Sequence, residues 1–164
     1  MKRMKGAFLA AALALAQPAT AETLGPETNL PLPRFVSLKA ETVNVRRGPG
    51  IGHRVDWVFQ RRGMPLEIVA EHGHWRRVRD VDDAGGWVHH AMLRGDRSAV
   101  VTAPRAALRA EPDREAPLAA LAEAGVILSL SACTPDWCEA DVKGAHGWVL
   151  KTEIWGAAAG DVFD

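Results

Sequence analysis

The chain has 164 residues, 48% of them hydrophobic and 24% charged, which is ordinary for a soluble globular protein. Its formal net charge is 0, and removal of residues 1–21, which carry three positive charges, would lower it to about −3. A mature charge this mild argues against nucleic acid as a partner. The charge is nevertheless uneven, because residues 35–95 carry ten Lys and Arg against seven Asp and Glu, whereas residues 96–164 carry six against eleven.

The first 21 residues have the features of a secretory signal peptide. A basic start (Met1-Lys2-Arg3-Met4-Lys5) precedes an apolar run over residues 6–16 and a small-x-small cleavage site at Ala19-Thr20-Ala21. The apolar run is too short to cross a bilayer comfortably, which disfavours the alternative of an uncleaved helical anchor. We predict cleavage after Ala21 and a periplasmic or secreted protein with no stable membrane span.

A lead-in at residues 22–34 contains Pro26, Pro31 and Pro33 and has no amphipathic period. Its composition predicts an extended, partly polyproline segment. The run Leu30-Pro31-Leu32-Pro33-Arg34 could serve as a ligand for a proline-recognising groove. The alternative, which we favour, is that it covers its own domain.

An internal repeat organises the rest of the chain. Gly86-Trp87-Val88 recurs as Gly147-Trp148-Val149, and Trp75, which follows a turn, recurs as Trp137. The offset falls from 63 to 61 residues along the unit, which indicates two related modules of about sixty residues. We assign a signal peptide (1–21), a lead-in (22–34), a first module (35–95), a linker (96–98), a second module (99–156) and a tail (157–164) that we expect to be frayed.

The first module has the pattern of short strands separated by Gly-rich turns. Apolar and polar residues alternate at Val43-Asn44-Val45-Arg46, and further short strands are predicted at residues 55–59, 64–71, 75–80 and around Trp87-Val88. With no long helical period, this pattern predicts a small all-β barrel.

The sequence also makes predictions about one later strand of the first module and one segment of the second. Strict alternation would place Leu66, Ile68 and Ala70 on one face of their strand and Glu67, Val69 and Glu71 on the other. In the second module residues 117–124 could pass for a helical turn, but by position they correspond to residues 55–62. We therefore predict a strand there.

The first module resembles the bacterial Src-homology-3 domain. The resemblance rests on Val43-Asn44-Val45-Arg46-x-Gly48-Pro49, Gly63-x-Pro65-Leu66-x-Ile68, Trp75-x-x-Val78 and Gly86-Trp87-Val88. Residues 32–39 followed by residues 44–46 resemble the exported tandem type of proteobacteria, and the second module matches more loosely. The resemblance implies two tandem Src-homology-3-like β-barrels that act as a non-catalytic binding module of the cell envelope, beside peptidoglycan-active proteins.

The two cysteines, Cys133 and Cys138, are predicted to form a disulfide. An even count in an exported chain favours a bridge. They also align with Glu71 and Arg76 of the first module, so that one module has an ion pair where the other has two thiols facing each other across a turn. A redox or nucleophilic role is less favoured, since the spacing is not C-x-x-C and no helix N-terminus would lower a thiol pKa.

Charged residues flank the repeated Trp in opposite sense. Trp75, Arg77 and Arg79 share one face of their strand, with Val78 directed inward, and the corresponding face of the second module carries Trp137, Glu139 and Asp141. Complementary faces of this kind could pair the barrels with each other, within one molecule or as a homodimer. The alternative is two unrelated solvated faces.

A candidate ligand groove in the first barrel would use aromatic and basic side chains. The residues are Trp57, Trp75 and Trp87, with Arg46, Arg47, Arg77 and Arg79. Arginine donors would suit a wall peptide with free carboxylates. The chain has no Tyr, which disfavours the eukaryotic mode of proline recognition, and Trp57 and Trp87 could instead be core or rim residues.

No motif indicates a metal site, a cofactor or catalysis. His72 and His74 could converge at a turn, but no carboxylate or thiol is placed to complete a metal site, and adjacent His89 and His90 should point opposite ways on a strand. The chain lacks G-x-S-x-G, H-E-x-x-H and P-loop motifs. We predict a non-enzymatic periplasmic module that binds peptidoglycan or an envelope protein; the alternative is an assembly protein whose barrels bind each other or a partner subunit.

Overall fold

A computed structural model describes residues 23–164, so the predicted signal peptide lies outside the described residues. The described chain is all-β, as predicted, and its helical segments are two single 3₁₀ turns. Within residues 23–164, no helix has the length and apolar character needed to cross a membrane.

The first barrel is a seven-stranded antiparallel sheet in the order β5-β4-β8-β7-β6-β3-β9. Its strands are β3 (Arg34–Leu38), β4 (Val43–Arg46), β5 (Val55–Phe59), β6 (Pro65–His72), β7 (Trp75–Arg79), β8 (Gly85–His89) and β9 (Leu93–Arg94), with a 3₁₀ turn at His90–Met92. The inward positions of β3, β4, β6, β7 and β8 form one buried core that includes Leu38, Val45, Leu66, Val78 and Val88.

The second barrel repeats this arrangement in the order β12-β11-β15-β14-β13-β10-β16. Its strands are β10 (Ser98–Val101), β11 (Arg105–Arg109), β12 (Leu118–Glu123), β13 (Ile127–Cys133), β14 (Trp137–Val142), β15 (Ala145–Leu150) and β16 (Ile154–Trp155), with a 3₁₀ turn at Lys151–Glu153. The strand predicted at residues 117–124 is therefore present as β12. A separate core surrounds Leu108, Leu128 and Val149.

A β-bulge overturns the predicted alternation in β6. The register shifts between Ile68 and Ala70, so Val69 is the extra residue. Beyond it Ala70 pairs with exposed Arg77, while Glu71 pairs with buried Arg76 and is itself buried. Ala70 therefore does not share a face with Leu66 and Ile68, because an extra residue exchanges the two faces of a strand.

The lead-in packs on the first barrel, as we favoured. Strand β1 (Thr23–Leu24) pairs with β2 (Pro31–Leu32) in a small hairpin, and the Leu32–Pro33 peptide is cis. Glu71 Oε2 accepts hydrogen bonds of 3.0 Å from the N–H groups of Glu27 and Thr28, and Thr28 Oγ1 donates to Glu71 Oε1 at 2.7 Å. The hairpin is thus fixed to the end of the first barrel.

Aromatic and basic side chains join the two barrels. Phe35 of β3 meets Trp155 of β16 edge to face, with ring centroids 5.0 Å apart, and the Arg97 guanidinium lies 5.8 Å from the Phe35 ring centroid. The barrels therefore touch, as expected for so short a linker.

The expectation of a frayed tail is wrong for residues 157–164. Phe163 exchanges backbone hydrogen bonds with Cys133, and the Lys151 ammonium donates to the Asp161 carbonyl at 2.5 Å. Asp161 also pairs with Arg97. These contacts hold the tail against the second barrel.

Candidate binding face of the first barrel

The outer face of β4, β8 and β7 brings together several of the predicted site residues. Trp87 of β8 is the cross-strand partner of Arg46 on one side and of Arg77 on the other. On the same face Trp75 pairs with His89, and their rings meet edge to face at 5.5 Å. We call the surface formed by Arg46, Trp75, Arg77, Trp87 and His89 the outer aromatic face.

The glycine of the Gly-Trp-Val motif allows β8 to approach β4 closely. Gly86 has φ +157°, and a Cβ atom there would lie 2.5 Å from the Arg46 carbonyl oxygen. In the second barrel, a Cβ at Gly147 would lie 2.8 Å from the Arg109 carbonyl oxygen. The repeated glycine therefore serves strand packing, and the Trp after it is presented outward.

Most of the predicted arginines already have partners within the barrel. Arg46 donates to the carbonyl oxygens of Ile51 and His53 at 2.9 and 2.8 Å, which fixes the loop between β4 and β5. Arg79 donates to Glu67 at 2.5 Å and to Asp83 at 2.9 Å, and its hydrogen bond to Glu67 raises the pKa of Arg79. Arg77 stands out as an exposed arginine with no ion pair among the described residues.

Arg47 and Trp57 lie away from this face. Arg47 and Arg54 both donate to Asp56, at 3.0 and 2.7 Å, and these hydrogen bonds lower the pKa of Asp56. Trp57 is 52% exposed on the edge strand β5, so the alternative that it is a core residue is wrong. The predicted residues therefore divide between the outer aromatic face and the edge of the sheet.

The histidines form a cluster that the sequence did not indicate. The rings of His74, His89 and His90 lie 4.8 to 5.9 Å apart, because the 3₁₀ turn that starts at His90 ends the strand alternation. The prediction that His89 and His90 point opposite ways is therefore wrong. Burial lowers the pKa of His90, and the neighbouring His89, Arg76 and His74 lower it further. Within residues 23–164, no group of three or more His, Cys, Asp or Glu residues is arranged to hold a metal ion.

The second barrel repeats part of this face with the charge reversed at one position. Trp148 pairs with Arg109 and with Glu139, so Glu139 occupies the register of Arg77. Glu139 accepts one hydrogen bond from the Ser131 hydroxyl and contacts His146, and these contacts lower the pKa of Glu139. Trp137 departs from the prediction of an outward residue, because it is only 8% exposed.

The predicted Cys133–Cys138 disulfide is present. The two residues are cross-strand partners on β13 and β14, with Cα atoms 4.1 Å apart. A bulge between Leu130 and Ala132 turns Cys133 inward, as the bulge at Val69 turns Glu71 inward. The bridge therefore lies within the core of the second barrel.

Comparison with known families agrees with this architecture. The profile of the bacterial SH3 domain matches residues 39–95 and again residues 102–156. No curated protein is significantly similar to the chain.

Two solved structures from Trichomonas vaginalis share limited similarity with the chain. NlpC2 has 13% sequence identity and a TM-score of 0.36, covering 76% of this chain and 48% of its own. NlpC1 has 12% identity and a TM-score of 0.36, covering 90% of this chain and 51% of its own. The chain thus spans about half the length of each, and TM-scores this low support no statement about function.

Proposed function

The chain belongs to the bacterial SH3 domain family, and on that premise we propose that it is a non-enzymatic, periplasmic binding module of the cell envelope. Its ligand would be peptidoglycan or an envelope protein. The outer aromatic face of the first barrel would make the contact.

The register of Trp87 between Arg46 and Arg77 is the observation that supports this proposal. An indole ring offers a flat apolar surface to a sugar ring or a peptide, and a guanidinium donates paired hydrogen bonds to a carboxylate. Arg46 is occupied with its loop, so Arg77 would supply the charged contact. A wall peptide with free carboxylates has the chemistry that this pair of side chains suits.

Retention on purified sacculi tests the proposal. We expect wild-type protein to sediment with sacculi and to be released by salt, because Debye screening weakens exposed charge pairs. W87A and R77A should each lose most of this retention. W148A is the matched control, since Trp148 holds the same register in the second barrel beside Glu139. Equal retention of W87A and wild type, with melting curves that show both folded, would contradict the proposal.

A second candidate function is assembly. Opposite charges at equivalent register positions, Arg77 in one barrel and Glu139 in the other, favour pairing between two copies of the chain. Arg79 pairs within the first barrel and Glu139 within the second, and among the described residues no ion pair joins the two faces. The charged faces would therefore meet between molecules. Absence of sacculus retention together with self-association would favour this function.

A further inference from the structure

A groove of about 420 Å³ at the junction of the lead-in, the first barrel and the linker is lined by four arginines. Arg34, Arg76, Arg94 and Arg97 come from β3, β7, β9 and the segment before β10, and His90 also lines the groove. Its lining contains no carboxylate. Apolar wall residues, Phe35 among them, complete it.

The groove lies apart from the outer aromatic face. Arg76 and Arg77 are neighbours on β7, but Arg76 is directed inward and only 9% of its side chain is exposed, whereas Arg77 is exposed on the opposite side. Successive residues of a strand point to opposite faces, so the two arginines serve different surfaces.

The charges around the groove do not balance. Arg34 and Arg76 share one buried carboxylate, Glu71, at 2.7 and 3.5 Å. Arg94 lies 3.5 Å from Asp96, whose side chain is 74% exposed, and Arg97 pairs with Asp161. Four guanidinium groups thus share three carboxylates, and only one of these is fully buried.

Arg97 also has an unsatisfied donor. Its Nε is buried and has no hydrogen-bond partner among the described residues, while its guanidinium lies 4.7 Å from the Phe163 ring centroid and 5.8 Å from that of Phe35. A buried N–H without an acceptor is costly, so Arg97, which lines the groove, retains an unsatisfied donor.

We propose that this groove binds a carboxylate that is attached to a small apolar group, such as the free C-terminus of a short peptide. The arginines would donate charge-assisted hydrogen bonds to the carboxylate, and Phe35 and its apolar neighbours would pack against the adjoining group. This site is separate from sacculus binding by Trp87 and Arg77, and a failure of either proposal leaves the other standing.

Titration with a soluble probe tests the site. Acetyl-dialanine with a free carboxylate is added to the isotope-labelled mature chain, and its carboxamide serves as the uncharged probe. We expect shifts of the amide signals around β9 and the linker with the acid and none with the carboxamide. R94Q should weaken the affinity about tenfold, since it removes one charge-assisted contact.

R105Q is the matched control, because Arg105 is an exposed arginine of the second barrel and its loss changes the net charge equally. It should leave the affinity for the acid within about twofold. R94K keeps the charge but loses the planar fork, so its affinity should fall between those of wild type and R94Q.

Three outcomes would overturn the proposal. The first is no binding of the acid. The second is equal weakening by R94Q and R105Q, which would indicate attraction by net charge. The third is inorganic phosphate binding more tightly than the acid, which would assign the groove to phosphate rather than to a carboxylate.

Discussion

Glu71 and Arg76 hold in the first barrel the cross-strand positions that Cys133 and Cys138 hold in the second. Arg76 Nε lies 3.5 Å from Glu71 Oε1, and the cysteines are covalently joined. Both pairs face inward after a bulge and connect the same two strands of their barrels. The duplicated fold thus closes one hairpin with an ion pair and the other with a disulfide.

The first prediction concerns Glu71, whose side chain is fully buried and which anchors the lead-in. E71Q leaves Arg34 and Arg76 without their shared counter-charge, and removing one member of a buried pair costs about 3 kcal/mol or more. We expect a lower urea midpoint and faster amide exchange at Glu27 and Thr28. E41Q, an exposed carboxylate in the same barrel, is the control and should change stability by less than about 0.5 kcal/mol. Unchanged exchange at Thr28 in E71Q would refute the anchoring role.

Acid should detach the lead-in. Burial raises the pKa of Glu71, but hydrogen bonds from the Thr28 hydroxyl, from Arg34 and from the backbone outweigh it and lower the pKa to about 2. A depressed folded-state pKa stabilises the fold above the unfolded value of 4.5, and this stabilisation is lost as the pH falls towards 2.

This loss amounts to about 3 kcal/mol, because one pKa unit corresponds to about 1.4 kcal/mol. Urea unfolding of wild type and E71Q at pH 6, 4 and 3 measures it. The stability difference between the two proteins should shrink as the pH falls. A difference that stays constant over this range would contradict the assignment to Glu71.

The disulfide should stabilise the second barrel selectively. A bridge over so short a loop contributes about 2 kcal/mol by the chain-entropy estimate, so C133A/C138A should unfold at a lower denaturant concentration. Reduction should lower the midpoint of the wild type in the same way and leave that of the double variant unchanged. If a reductant exposes both thiols and the wild-type midpoint does not change, the bridge adds no stability.

The alternation of apolar and polar residues was enough to predict the all-β class and the strand at residues 43–46, because that strand has one buried and one exposed face. The same rule failed at Ala70 and Glu71, where one extra residue in β6 exchanges the faces. Simple alternation does not take a bulge into account. The alignment of Glu71 with Cys133 between the two repeats did indicate that an inward pair lies at this position.

The candidate sites likewise differ in how far the sequence could predict them. The outer aromatic face could be predicted in part, since Trp75 and Arg77 are close in sequence and follow the period of β7. The arginine groove could not, because Arg34, Arg76 and Arg97 come from segments that only the packing of the lead-in and linker brings together. Likewise, the half-exposed position of Trp57 depends on β5 being an edge strand.

Gly86 should tolerate no side chain. In G86A the new Cβ would lie 2.5 Å from the Arg46 carbonyl oxygen, and the φ of +157° is unfavourable for alanine. We expect a loss of more than about 1 kcal/mol in unfolding free energy together with lower sacculus retention, since β8 also carries Trp87. G52A is the control, because no heavy atom beyond Gly52 and its two chain neighbours lies within 4 Å of the Cβ position there. A G86A protein as stable as G52A would show that the close approach is not required.

The last prediction separates a homodimer from a module that binds the wall alone. If Arg77 of one copy faces the acidic surface of another, R77E should weaken self-association about tenfold in sedimentation velocity. D141R, which reverses an exposed charge on the acidic surface, should do the same. Arg79 is left intact in this design, because its pairs with Glu67 and Asp83 would confound the result.

Mixing R77E with D141R should restore association, since the arginine face of D141R then meets an unaltered acidic surface on R77E. Attraction between exposed charges also predicts that wild-type association weakens with salt. If the wild-type chain stays monomeric at every concentration and salt level, the homodimer prediction is wrong. The two oppositely charged faces would then be separate and solvated. In that case the loss of sacculus retention expected for R77A would belong to wall binding alone.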